Sequence, residues 1–240
     1  MKYMGSKAKH ADEILEAIME SFPMALTTRQ NWVEPFVGGA NMIDHIKAKV
    51  GKYGNDINVH LIEMFKAVQN GWVPPDSVSE QEYRQLMSKS DIYCTGIESA
   101  LIGFVGIGCS YSGKWFGGYA RGNANNGQPR NYCLESKKNL LKQDISGVVF
   151  THGDYKDMYI SDNSIIYCDP PYAGTTKYKD YFDHSAFWKW CDEQVAKGHK
   201  VFVSEYNAPE DWNCIWQKTV NNSLTKETGS KQGVEKLFTK

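Results

Sequence analysis

The chain has 240 residues, 41% of them apolar, and a formal charge of -1. That length suits one large α/β domain, or one domain carrying an insertion, with enough apolar material for a substantial core. A near-neutral sum excludes a generally basic nucleic-acid binder, and no apolar run approaches the roughly 20 residues that a membrane span needs. Residues 8–21 carry Ile14, Leu15 and Ile18 on one helical face. The run NWVEPFVGGAN then reads as a strand stopping at Gly38-Gly39, followed by a helix over about 42–48. KYGNDIN is a short strand ending in a carboxylate, Asp56. Strand, glycine turn, helix, strand, acid is the opening of a nucleotide-binding α/β sheet. Residues from about 60 to 105 read as mostly helical, broken at Pro74-Pro75. From Gly103 to Pro129 glycine is dense, with Tyr111, Trp115, Phe116, Tyr119 and Arg121 among it, so this stretch is expected to be an irregular, functional loop. A helix returns at about 132–143. VVFTHGD, SIIYCDPPY and HKVFVSEYN read as strands, with a helix over 187–196 between the last two. WNCIWQKTV and EKLFTK are two further strands, split by the polar loop NNSLTKETGSKQG.

Charge is distributed unevenly. Lys114, Arg121, Arg130, Lys137, Lys138 and Lys142 face Glu135 alone between positions 109 and 142, whereas positions 56–98 are acidic. Such segregation can give a neutral chain one basic face. Aromatic rings in a Gly-rich basic stretch also suit stacking on bases. The six cysteines form no C-x-x-C pair and accompany no histidines at zinc spacing, so reduced thiols and no metal are expected. With no apolar leader in MKYMGSKAKH, the protein is expected to be soluble and cytoplasmic.

The motif richest in chemistry is Asp169-Pro170-Pro171-Tyr172, directly after a strand. Ligands of α/β sheets bind at the carboxyl ends of strands. Two prolines stiffen the backbone and leave carbonyls without competing amides. An acid, a rigid carbonyl and an aromatic ring therefore converge in one short loop. An adenine amine is a poor nucleophile because its lone pair is delocalised into the ring. A carboxylate and a carbonyl that accept its two N–H bonds pull the nitrogen towards tetrahedral geometry, while a stacked ring holds the base in line. A second element is Glu34-Pro35-Phe36-Val37-Gly38-Gly39-Ala40-Asn41, whose glycines let a backbone approach a ligand. It does not match G-x-G-x-x-G in full. Asp56 could take both hydroxyls of a ribose, or could cap the following helix. Tyr3-Met4-Gly5-Ser6-Lys7, by itself, reads as a terminal tail.

Taken together, these residues resemble the Dam-type DNA N6-adenine methyltransferases of bacteria and their phages. Residues 3–7 look like that family's K-W-x-G-G-K element, which lines the methyl-donor pocket. Residues 34–40 look like its E-P-F-x-G-x-G element, and Asp56-Ile57-Asn58 look like its D-I-N element, whose acid binds the donor's ribose. Asp169 to Tyr172 are identical to its catalytic D-P-P-Y. Asp154 matches a position near the donor's adenine, and residues 234–238 resemble its final hairpin. Tyr3, Ser6, Ala40 and Asn41 depart from the residues usual in the family.

The resemblance implies a Rossmann-like, seven-stranded methyltransferase sheet, with residues 1–63 and 140–240 as the catalytic domain binding S-adenosylmethionine. It implies a helical and loop target-recognition insertion over 64–139. Asp169, Pro170 and Tyr172 are then catalytic. Tyr3, Lys7, Glu34, Pro35, Phe36, Gly38, Ala40, Asp56, Asp154 and Asp169 are expected at the donor. Lys114, Tyr119, Arg121 and Arg130 are expected on double-stranded DNA, from which the target adenine is flipped into the pocket. The same D-P-P-Y chemistry on RNA adenine is an alternative, and so is a catalytically silent DNA-binding regulator with the same fold. Restriction protection, repair marking and regulation are the settings that the likeness allows, together with a phage or prophage origin.

Overall fold

A computed structural model describes residues 1–23, 30–47, 49–172, 182–221 and 232–240. The polar loop at 222–231 and the end of the expected helix over 42–48 lie outside the described residues. Seven strands form one mixed sheet in the order β3-β2-β1-β4-β5-β7-β6. They are β1 (Trp32–Glu34), β2 (Lys52–Asp56), β3 (Val148–His152), β4 (Ile165–Cys168), β5 (Lys200–Glu205), β6 (Asn213–Asn221) and β7 (Gln232–Thr239). Helices α1 (Ala11–Ser21), α2 (Val59–Gln69), α3 (Glu80–Met87), α4 (Gly96–Gly108), α5 (Tyr132–Leu141) and α6 (His184–Ala196) complete the α/β architecture. The chain divides into two compact units.

The first unit comprises Met1–Lys9, Val37–Lys47 and Tyr53–Met158. Its helices α2 and α4 meet along a glycine seam. A Cβ on Gly103 would lie 2.1 Å from the carbonyl oxygen of His60, so only a hydrogen fits there. Gly106 and Gly108 give the same close approach to the Trp115 ring and to Ser136 of α5. The glycine density that suggests a loop from position 103 thus belongs, up to 108, to a helix buried nearly all round. α2 starts on Asn58, whose side chain accepts from the amides of His60 and Leu61. α3 starts on a reciprocal capping box between Ser79 and Glu82. The helix expected over 42–48 is one 3₁₀ turn, Ile43–His45, after which Ile46 is extended.

The second unit comprises His10–Phe36, Ala48–Lys52 and Tyr159–Lys240. β1, β4 and β5 are parallel, with Val33 opposite Ile166 and Cys168 opposite Val203. They are buried along almost their whole length, which is why they carry consecutive rather than alternating apolar residues, as in Val201-Phe202-Val203. β7 runs antiparallel between β5 and β6, closing the sheet with a hairpin. α1 buries Ile14, Leu15 and Ile18, the face that its spacing predicts, together with Ala11 and Ala17.

Candidate active site

In the first unit the end of β2 organises a nucleotide-type cradle. Asp56 Oδ2 accepts the amide of Gly38 at 2.9 Å, and Oδ1 accepts that of Asn58 at 2.9 Å. Burial raises the Asp56 pKa, and the two backbone bonds oppose that rise. The capping role that competes for Asp56 belongs instead to Asn58. Each Asp56 oxygen has a second lone pair. This pair of acceptors fits two vicinal hydroxyls, as the ribose of an adenosyl ligand presents. Gly38 and Ala40 have φ of 46° and 53°, the left-handed conformation that makes the turn sharp. The Tyr3 ring lies on this turn, 3.0 Å from where a Gly38 Cβ would stand. The segment that reads as a tail is therefore docked. Met4 donates its amide to the Gly113 carbonyl at 3.0 Å, and Lys7 is buried with Nζ on the Gly5 carbonyl. Gln143, which no sequence motif marks, donates to the carbonyls of Gly39 and Ala40 at 2.9 and 3.2 Å. Asp154 follows β3, where Asn55 donates to Gly153 O at 2.9 Å, and its side chain accepts from Lys156 N at 2.9 Å.

In the second unit β4 delivers Asp169, Pro170 and Tyr172 at its carboxyl end. Asp169 is half-buried and Pro170 is buried. Glu34 ends β1, the neighbour of β4, and is fully enclosed, with Oε1 accepting from Trp32 Nε1 at 2.7 Å. Burial pushes its carboxyl up to about 8, and the nearby Asp169 adds to the rise. Glu34 is thus largely protonated at neutral pH. Burial, with Asp169 nearby, also drives the Tyr172 hydroxyl well above its usual range, so this ring stays neutral. Phe36 packs edge-on against Phe182 and Phe187, and Pro35 is buried.

The candidate nucleic-acid residues lie in the first unit. Lys114, Arg121 and Arg130 are exposed. Arg121 pairs with Glu80, and Arg130 pairs with Glu135 through Nε at 2.9 Å. The Tyr119 hydroxyl donates to Val78 O at 2.7 Å, and its ring meets Tyr83 edge-on, so this residue anchors the loop. Tyr111, by contrast, is 64% exposed. Among the described residues no group of three His, Cys, Asp or Glu side chains could hold a metal, and no helix is long and apolar enough to cross a membrane.

Comparison with known proteins bears on these halves. Residues 3–94 match the family model of the D12 class N6 adenine-specific DNA methyltransferases. The modification methylase StsI of Streptococcus sanguinis is 28% identical over 235 residues, covering 86% of this chain. The chain spans about a third, 33%, of that relative's length. Solved structures that align with it include two proteins provisionally assigned as methyltransferases. The Escherichia coli protein yhhF aligns with TM-score 0.35 and 8% identity, covering 95% of this chain and 84% of its own. Haemophilus influenzae HI0767 aligns with TM-score 0.36 and 8% identity, covering 94% and 87%. The matched stretch holds the E-P-F element, and an intact D-P-P-Y lies beyond it, so residues 3–94 are similar to the D12 class N6 adenine-specific DNA methyltransferases.

Proposed function

We propose that this chain methylates the exocyclic amine of an adenine in double-stranded DNA, with S-adenosylmethionine as donor. The observation that carries the reading is Asp169-Pro170-Pro171-Tyr172 at the carboxyl end of β4, in the buried parallel part of the sheet. The family that residues 3–94 match is named for this reaction, and the StsI relative is named a modification methylase. Those names support DNA as the polymer and protection of a restriction site as the setting.

Asp56 would hold the donor's ribose, with Gly38, Ala40, Tyr3 and Lys7 shaping the turn beneath it. On the family resemblance, Glu34, Pro35, Phe36, Asp154 and Asp169 are further candidates for the donor. When bound, S-adenosylmethionine supplies a methyl carbon activated by its sulfonium. Asp169 and the Pro170 carbonyl accept the two N–H bonds of the amine, which localises its lone pair. Tyr172 stacks on the flipped base and fixes the nitrogen in line with the donor. Asp169 then stabilises the positive charge that develops on the nitrogen. Protonated Glu34 adds no second negative charge beside Asp169 at neutral pH, which leaves Asp169 as the acceptor. Residues 64–139 serve as the target-recognition insertion, with Lys114, Arg121, Arg130 and Tyr119, joined by exposed Tyr111, along the DNA.

The test is to incubate the protein with labelled S-adenosylmethionine and, separately, with mixed-sequence duplex DNA and structured RNA, then identify the labelled nucleoside. N6-methyldeoxyadenosine in DNA is the expected product. Label in RNA alone would keep the chemistry and change the polymer. Label in neither would overturn the reading.

A further inference from the structure

The Tyr172 ring has an aromatic neighbour that neither the D-P-P-Y motif nor the family comparison marks. Tyr206, just beyond β5, meets it edge to face, with ring centroids 4.7 Å apart and planes at 80°. The placement follows from the sheet. β4 and β5 run parallel with Cys168 opposite Val203, so the segments leaving their carboxyl ends emerge side by side.

The direction of Tyr206 is set by the residue before it. Glu205 Oε1 accepts the Tyr206 backbone amide at 2.7 Å. Its other oxygen lies 3.9 Å from Nδ1 of His184, the first residue of α6. Glu205 is only 2% exposed. A carboxylate so enclosed is costly, and an apolar side chain would complete the strand at less expense. What a carboxylate adds here is an acceptor that locks the peptide carrying Tyr206. One residue earlier, the Ser204 hydroxyl bonds the Tyr167 hydroxyl at 2.7 Å, and Tyr167 stacks on Trp32. The support beneath Tyr206 therefore continues into the core of the sheet.

We infer that Tyr206 is a positioning residue for methyl transfer, and that Glu205 holds it in place. The inference rests on the reading of Asp169 and Tyr172 given above. A tyrosine ring can turn about its Cβ–Cγ bond, and only some of its planes offer a face to an incoming base. The edge-to-face contact with Tyr206 selects one plane. The target adenine then meets a preformed stacking surface, and its amine is delivered to Asp169 in a reactive orientation.

The experiment measures single-turnover transfer of tritiated methyl from S-adenosylmethionine to unmethylated duplex DNA, and in parallel the affinity for S-adenosylhomocysteine. Tyr206→Phe keeps the ring and should hold the rate within about twofold, whereas Tyr206→Leu should slow it about tenfold while ligand affinity stays within about twofold. Glu205→Gln keeps an acceptor oxygen and should stay within about threefold of wild type. A Leu variant as fast as the Phe variant overturns the inference. So does a Phe variant that loses transfer and ligand affinity together, because that pattern marks a purely structural residue. A wild-type protein that labels neither DNA nor RNA sinks the parent reading and the inference with it. An active wild type with a fast Leu variant sinks the inference alone.

Discussion

The backbone amide of Gly38 and the carboxylate of Asp56, 18 positions apart in sequence, are joined by a 2.9 Å hydrogen bond. The acid proposed to hold the donor's ribose therefore also holds the turn on which the donor would rest. Asp56→Ala should weaken S-adenosylhomocysteine binding at least about tenfold, because it removes charge-assisted bonds to two hydroxyls and loosens the turn together. Asp56→Asn keeps one oxygen acceptor and should lose less. Calorimetric titration decides the matter, and an Asp56→Ala protein with wild-type affinity would relocate the ribose.

Asp169→Ala should separate binding from chemistry. Methyl transfer should fall by about three orders of magnitude or more, since the acceptor that polarises the amine is gone. Affinity for S-adenosylhomocysteine should stay within a fewfold of wild type. Near-normal turnover in this variant would refute the assignment of the acid.

Glu34 gives a pH signature in stability. Its carboxyl is held at about 8 in the fold against an ordinary 4.5. Below the ordinary value both folded and unfolded chains are protonated, and the group contributes nothing. As pH rises from 4.5 to about 8 the unfolded chain loses this proton while the fold retains it, so stability falls across that window and levels off above it. Each decade of proton affinity corresponds to about 1.4 kcal/mol, which caps the loss at about 5 kcal/mol. Glu34→Gln should flatten the difference. Urea denaturation of both proteins at pH 5, 6.5 and 8 measures it, and identical slopes would mean that Glu34 titrates normally.

Gly103→Ala tests the seam between α2 and α4. The new methyl would meet the His60 carbonyl carbon and oxygen, which are backbone and cannot swing aside. The cost should be roughly 3 kcal/mol, at the upper end of overpacking penalties. An alanine variant as stable as wild type in chemical denaturation would show that the helices part easily.

Arg121 and Arg130 already pair with Glu80 and Glu135, so binding a phosphate requires each to exchange an acid for the polymer. Arg121→Ala and Arg130→Ala should each weaken DNA binding and reduce the salt slope by about one. Glu80→Ala and Glu135→Ala should tighten binding, because they release the cations. DNA affinity measured over a series of salt concentrations distinguishes these effects, and unchanged slopes in both arginine variants would move recognition elsewhere.

The sequence revealed most where burial is symmetric or chemistry is dense. β1, β4 and β5 were readable because parallel strands covered on both faces leave consecutive rather than alternating apolar residues, and the D-P-P-Y loop stood where a strand had to end. It was less informative where one residue type serves two purposes. Gly103, Gly106 and Gly108 look like loop residues but sit in a helix whose neighbours leave no room for a side chain. Tyr3 looks like part of a tail because nothing nearby in sequence shows that a glycine turn over thirty positions away will receive it. Asp56 reads as a possible cap of the following helix, but the cap of α2 is Asn58, two residues on. Gln143 and Tyr206 carry no motif, since their importance lies in what stands opposite them.

The loop after α4 is fastened before it meets any ligand. Tyr83 Oη bonds Ser110 Oγ at 2.8 Å and accepts the Gly118 amide at 3.1 Å, while Phe116 donates its amide to Gly106 O at 2.8 Å. Ser110 and Tyr119 are bridged. Immobilising a backbone costs conformational entropy of about 1–2 kcal/mol per residue when it happens on binding. Here folding has already met that cost, so a polymer binding at Tyr111, Lys114 and Arg121, as proposed, would encounter a ready shape, and a larger share of its contact energy would go into discriminating one site from another.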